Sequence, residues 1–172
     1  MLEQYSPDNI GIYGCSAGAV LTAETVVRLQ QNGLPQPGAV AMSCASAHGW
    51  DEGDSRNFVA ALDPDYLADG VTQNNIYFKH SDANDPQMLP GKHPEYMAQF
   101  PPSLLLVGTR DFAMSSVVKT HSELVRLGVP ADLHMWEGMK HAFLYDGELP
   151  ESEEAYQVMV GFFDRHLGRA SV

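Results

Sequence analysis

The chain has 172 residues, with 44% apolar and 19% charged residues, the balance of a globular protein rather than a disordered one. Its formal net charge is −12, from 22 acidic and 10 basic residues, which argues against binding a phosphate backbone, since that needs clustered Lys and Arg. No apolar run reaches the roughly 18 residues a membrane span needs, and the N-terminal MLEQYSPDN has neither the basic nor the apolar region of a signal peptide.

The elements follow in order. Ile10 to Tyr13 is short, apolar and partly β-branched, as expected of a buried strand. Ala17 to Gln31 has helical length, and its apolar residues cover most of the circumference, so a largely enclosed helix is predicted, stopped by Gly33 and Pro35. Ala39 to Ser43 reads as a second strand. Residues 44–102 are rich in Asp, Asn, His, Gly and Pro. They read as an irregular excursion with short helices, anchored by Trp50, Phe58, Tyr66, Tyr77, Phe78 and Tyr96.

Regularity returns with a strand from Ser103 to Val107, ending in Gly108. A helix from Ser115 to Leu127 follows, closed by Gly128, then a strand from Ala131 to Trp136. The last element is an amphipathic helix over Glu151 to Leu167, with Ala155, Tyr156, Met159, Val160, Phe163 and Leu167 on one face. This alternation predicts one α/β domain over residues 1–172, a mostly parallel sheet flanked by helices.

The chemistry concentrates at three places. Gly14-Cys15-Ser16-Ala17-Gly18 has the form G-x-S-x-G between a strand and a helix. A serine at such a turn is held with its hydroxyl above the sheet, the flanking glycines leave room for the strained backbone, and the next N–H, that of Ala17, can donate to an oxyanion. A serine needs a base and an orienting acid. Asp111 lies just past the strand ending at Val107, and His141 lies between the strand ending at Trp136 and the final helix. Ser, Asp, His is the order expected of such a triad, and all three fall at carboxyl ends of strands, where open α/β sheets place their sites.

Other residues read more plainly. His48, His80, His93, His121, His134 and His166 lack such placement and are expected in surface or core roles, and Glu137 is expected only to tie down the loop before His141. Cys15 occupies the variable position of the motif. Cys15 and Cys44 form neither a metal spacing nor a disulfide framework, which points to a reducing, cytoplasmic setting. Asp82 and Asp85 in HSDANDP read as turn residues rather than metal ligands. No cofactor and no metal is expected.

The segments GCSAGA, DANDPQMLP, FPPSLLLVGTRD, LVRLGVPADLHMW and EGMKHAF together resemble the hormone-sensitive-lipase-like branch of the α/β hydrolases, whose bacterial members are carboxylesterases and acetyl esterases of short acyl chains. The resemblance runs from about Ile10 to Leu167 and assigns nucleophile to Ser16, acid to Asp111 and base to His141. It departs at Cys15, where the branch commonly has an acidic residue. It also departs upstream, because the fifteen residues before Ser16 cannot supply the branch's His-Gly-Gly-Gly oxyanion loop and first strands. The expectation is therefore a truncated α/β hydrolase, the C-terminal half, with a small-molecule ester as substrate and activity weakened by the absent loop. A non-catalytic remnant with a structural or binding role is the alternative. The strand bearing the nucleophile would lack a neighbour on one side, so a homo-oligomer covering that edge is expected.

Overall fold

A computed structural model describes residues 4–50, 52–63, 82 and 84–168. Four parallel strands form one sheet in the order β1 (Gly11–Cys15), β2 (Ala39–Ser43), β3 (Ser103–Arg110), β4 (Ala131–Lys140). Successive side chains on a strand point to opposite faces, and the sequence uses both faces. Val40, Met42, Leu105 and Val107 face one core, closed by α1 (Ala17–Gln31) through Ala19, Val20, Ala23, Val26 and Val27 and by α4 (Met114–Arg126) through Val117 and Leu124. Ala39, Ala41, Leu104 and Leu106 face the other, closed by α5 (Pro150–His166) through Ala155, Met159 and Phe162. The middle strands are thus buried on both sides, which is why they read as unbroken apolar runs.

Among the described residues, the excursion between β2 and β3 holds the short α-helices α2 (Ser55–Leu62) and α3 (Pro94–Met97). Among its expected anchors, Trp50 and Tyr96 pack against the α1/α4 core. Phe58 does not, being 57% exposed. Tyr66, Tyr77, Phe78 and His80 lie outside the described residues. Asp82 and Asp85 make turns, their Oδ1 atoms accepting from the backbone N–H of Asn84 (2.8 Å) and Gln87 (2.9 Å).

Several expectations need correction. β1 is not a buried strand: it forms one edge of the sheet, and Tyr13 is 65% exposed. The inward face of α5 is Ser152, Ala155, Met159 and Phe162, whereas Tyr156 and Val160 are 44% and 61% exposed. Both strands leading to the site outlast their apolar runs, β3 by three residues to Arg110 and β4 by four to Lys140. Backbone pairing continues there although the side chains are polar and partly open. Glu137 is exposed on β4, ahead of the turn that carries His141.

A buried polar cluster fixes the excursion to α4. Ser46 Oγ donates to the Ser116 carbonyl (2.9 Å) and accepts from Thr120 Oγ1 (2.8 Å). His48, 3% exposed, places Nδ1 2.8 Å from Thr120 Oγ1 and Nε2 3.1 Å from Glu123 Oε2. Burial, and after it the charge of Lys119, lower the His48 pKa below its ordinary 6.5 against the opposing pull of Glu123 and Glu52. A depressed folded-state pKa means that the unfolded chain takes up the proton first, so stability is held above pH 6.5 and lost as pH falls below it. Chemical denaturation between pH 7 and 5 is expected to show this loss, with a flatter slope in His48→Gln. Stability that rises toward pH 5 in the wild type would contradict it.

Candidate active site

The turn from β1 into α1 holds Ser16 at φ 55°, ψ −119°, a conformation that L-residues seldom adopt. Its N–H donates to the Ser43 carbonyl (2.8 Å), tying the turn to β2, and its carbonyl accepts from the N–H of Ala19 (2.9 Å) in the first turn of α1. Ala17 is the first residue of α1, a position whose N–H has no partner within a helix.

Only one of the two motif glycines is forced by space within the described residues. A Cβ on Gly14 would collide with the backbone of Gly18, whereas one on Gly18 would meet nothing within 4 Å. Gly14→Ala is therefore expected to lose folded protein or the Ser16 geometry, and Gly18→Ala to keep both, as read by thermal melting and fluorophosphonate labelling. Equal damage from the two changes would contradict this packing.

Asp111 follows β3 and is fully buried, and its Oδ1 accepts from the Ala113 N–H (2.8 Å). The loop that holds it is clasped by α2, where Ser55 Oγ donates to the Phe112 carbonyl (2.7 Å) and accepts from the Ser115 N–H (3.0 Å). His141 follows β4, its ring stacked on Phe112 with centroids 4.4 Å apart. Ala142 takes a left-handed turn (φ 58°) directly after it. His141 Nδ1 lies 2.9 Å from Asp111 Oδ1, and its Nε2 lies 2.8 Å from Ser16 Oγ. The three residues singled out in the sequence thus form one hydrogen-bonded chain across the carboxyl ends of three strands. Asp111 Oδ2 is buried without a hydrogen-bond partner among the described residues, an arrangement that costs stability and is typical of functional sites.

The sequence reading missed one neighbour. Cys44 also has positive φ (60°), which turns its side chain onto the α5 face, where Cys15 packs. Its sulfur accepts from the Ala142 N–H (3.3 Å). The three non-glycine residues with positive φ among those described, Ser16, Cys44 and Ala142, all surround this site. Cys44, Asp111 and His141 also bring three potential metal-ligand atoms within 4.8 Å of one another. The neighbouring Cys15 and burial raise the Cys44 pKa strongly and keep the thiol protonated, a poor ligand state. Beside the site, a pocket of about 410 Å3 is lined by Tyr13, Gly14, Cys15, Gly18, Tyr145 and Met159, among others.

The parallel sheet between helices defines the fold class, and comparison agrees on it. Residues 2–145 match the model of the α/β hydrolase fold family, and the chain belongs to that family. It is similar to the crystal structure of esterase E25 (31% identity, TM-score 0.83), covering 97% of this chain and 52% of that one. It is also similar to EstE5 in crystals soaked with p-nitrophenyl butyrate (26%, TM-score 0.85; 96% of this chain and 56% of that one). An esterase/lipase from an uncultured bacterium matches at 25% identity and TM-score 0.83, over 96% of this chain and 56% of that one. An esterase of the bacterial hormone-sensitive lipase family, at 24% identity, shares the fold (TM-score 0.83; 97% of this chain, 56% of that one). The chain therefore spans about half the length of these esterases. No curated protein matches the sequence significantly. No helix among the described residues is long and apolar enough to cross a membrane.

Proposed function

We propose that this chain carries the reaction centre of a serine carboxylesterase for short-chain acyl esters. The single observation supporting this most is the continuous pair of hydrogen bonds Ser16–His141–Asp111. In the reaction, His141 Nε2 takes the Ser16 proton as Oγ attacks the ester carbonyl. The resulting oxyanion accepts from the Ala17 N–H at the positive end of α1. The tetrahedral intermediate collapses, its C–O bond to the alcohol breaks, and His141 returns the proton to that alcohol. Water then attacks the acyl-Ser16 ester by the same proton path, releasing the acid. Asp111 holds the imidazole tautomer and stabilises the imidazolium.

Ala17 supplies one oxyanion donor, and removing one donor from a pair typically lowers turnover about 10²–10³-fold. The esterase neighbours support the substrate class, and the 410 Å3 pocket beside Ser16 falls within the usual range for small ligands. The test is release of p-nitrophenol from an acetate-to-octanoate series. Turnover that is fastest for acetate or butyrate and absent from Ser16→Ala supports the reading. Equal rates with and without Ser16 favour a binding or structural role instead.

The same reading includes a homo-oligomer. The outer edge of β1 carries exposed Tyr13, and exposed Tyr156 lines the same pocket as Tyr13. A second copy placed edge to edge would satisfy the unpaired backbone and cover these side chains on both copies at once. Light scattering at micromolar concentration should give a dimer, and a monomer would overturn this part.

A further inference from the structure

The geometry points to a thiol modification site: Cys15 and Cys44 form a reversible disulfide under hydrogen peroxide, and that bond disables Ser16. The inhibition half rests on the proposed role of Ser16, whereas the thiol half does not.

Cys15 ends β1 and Cys44 follows β2, one residue beyond its Cα partner Ser43. Neighbouring strands lie about 4.8 Å apart and a residue advances about 3.3 Å, so the two Cα atoms are separated by about 6 Å, within the disulfide range of roughly 4.4–6.8 Å. Strict alternation would send Cys44 to the opposite face from Cys15. Its left-handed backbone brings it back to the α5 face, where Cys15 packs. Both thiols are free.

The pair is asymmetric in the way such a site needs. Cys15 is half-buried and lines the pocket beside Ser16, open to a small oxidant, while Cys44 is fully buried. The neighbouring Cys44 lowers the Cys15 pKa from 9.0 to about 7 against the opposing effect of burial, helped by the Tyr145 hydroxyl and the charge of His141. Cys15 is thus substantially thiolate at neutral pH, and Cys44 is held as a thiol.

The chemistry balances without further reagents. The Cys15 thiolate attacks one oxygen of hydrogen peroxide, the O–O bond breaks, hydroxide leaves, and Cys15 becomes a sulfenic acid. The Cys44 sulfur attacks the Cys15 sulfur, the S–O bond breaks, and water leaves with the Cys44 proton. Two thiols are oxidised and one peroxide is reduced to two waters.

The link reaches both ends of the Ser16–His141 pair. Cys15 precedes Ser16 in the strained turn, and the Cys44 sulfur accepts the N–H of Ala142, the residue after His141. Drawing the two sulfurs together to about 2.05 Å moves the anchors on each side. A displacement near 1 Å in such a site costs about 10²-fold.

The experiment treats the whole chain with hydrogen peroxide, maps peptides without reduction, and measures fluorophosphonate labelling of Ser16 before oxidation, after it, and after dithiothreitol. The expected result is a peptide linked through Cys15 and Cys44, with labelling lowered about 10²-fold and restored by dithiothreitol. Cys15→Ser and Cys44→Ser should form no linked peptide, each compared with its own reduced form, and Cys15 in Cys44→Ser should proceed to sulfinic acid. Oxidised Cys15 with Cys44 still a free thiol would overturn the proposal, as would a linked peptide with unchanged labelling. Failure of Ser16 to label in the reduced protein would overturn the esterase reading instead, and the linked peptide alone would then decide the thiol pair.

Discussion

Ser16→Ala is expected to lower hydrolysis of p-nitrophenyl butyrate by about 10³-fold or more, to the level of weak oxyanion and binding effects alone. The reasoning is geometric. The hydroxyl is the one group at the tip of the β1–α1 turn that lies 2.8 Å from an imidazole nitrogen. Cys15, next in sequence, is directed toward Cys44 and Tyr145 instead. Removing one oxygen from a half-buried turn should leave the melting temperature nearly unchanged. His141→Ala should cost about as much, because nucleophile and base act as one unit, and the double variant should be no worse than either single one. Additive losses would mean that the two residues do not share a proton.

Asp111→Asn is the second large effect, about 10⁴-fold in turnover with the fold retained. Asp111 Oδ1 accepts from both the His141 ring and the Ala113 N–H. An asparagine oxygen can keep these two bonds, and its amide nitrogen would take the place of the unpaired Oδ2. What disappears is the negative charge that favours the imidazolium as Ser16 loses its proton. The loss should therefore fall on kcat, with KM for the ester nearly constant. Asp111→Ala should also destabilise the loop, by about 1–3 kcal/mol, because the buried Ala113 N–H loses its acceptor. A variant with normal turnover would remove Asp111 from the mechanism.

The sequence made the spacing of the candidate site legible because each of Ser16, Asp111 and His141 follows an apolar run, and burying such runs in parallel fixes where their carboxyl ends meet. Helix α1 was readable to the residue, since the G-x-S-x-G turn starts it and Gly33, at φ 62°, ends it. The extensions of β3 and β4 were hidden because backbone pairing there carries polar side chains such as Thr109, Arg110 and Lys140. The α5 face was misjudged because Tyr156 and Val160 are apolar yet exposed, and apolar pattern alone does not tell which apolar strip finds a partner. Cys44 was invisible for a different reason. Its position depends on one positive φ, and no residue type other than glycine announces that conformation. The Ser46–His48–Thr120–Glu123 cluster joins residues about seventy positions apart, beyond any local pattern.

The central claim is that Ser16 becomes covalently acylated. Rapid acid quenching after mixing with p-nitrophenyl acetate, followed by mass spectrometry of the peptide spanning the β1–α1 turn, tests it directly. The account predicts one acetyl group on Ser16, absent from Ser16→Ala and accumulating when deacylation is slow. An unmodified Ser16 during measurable turnover, or an acetyl group carried by Cys15 instead, would contradict it.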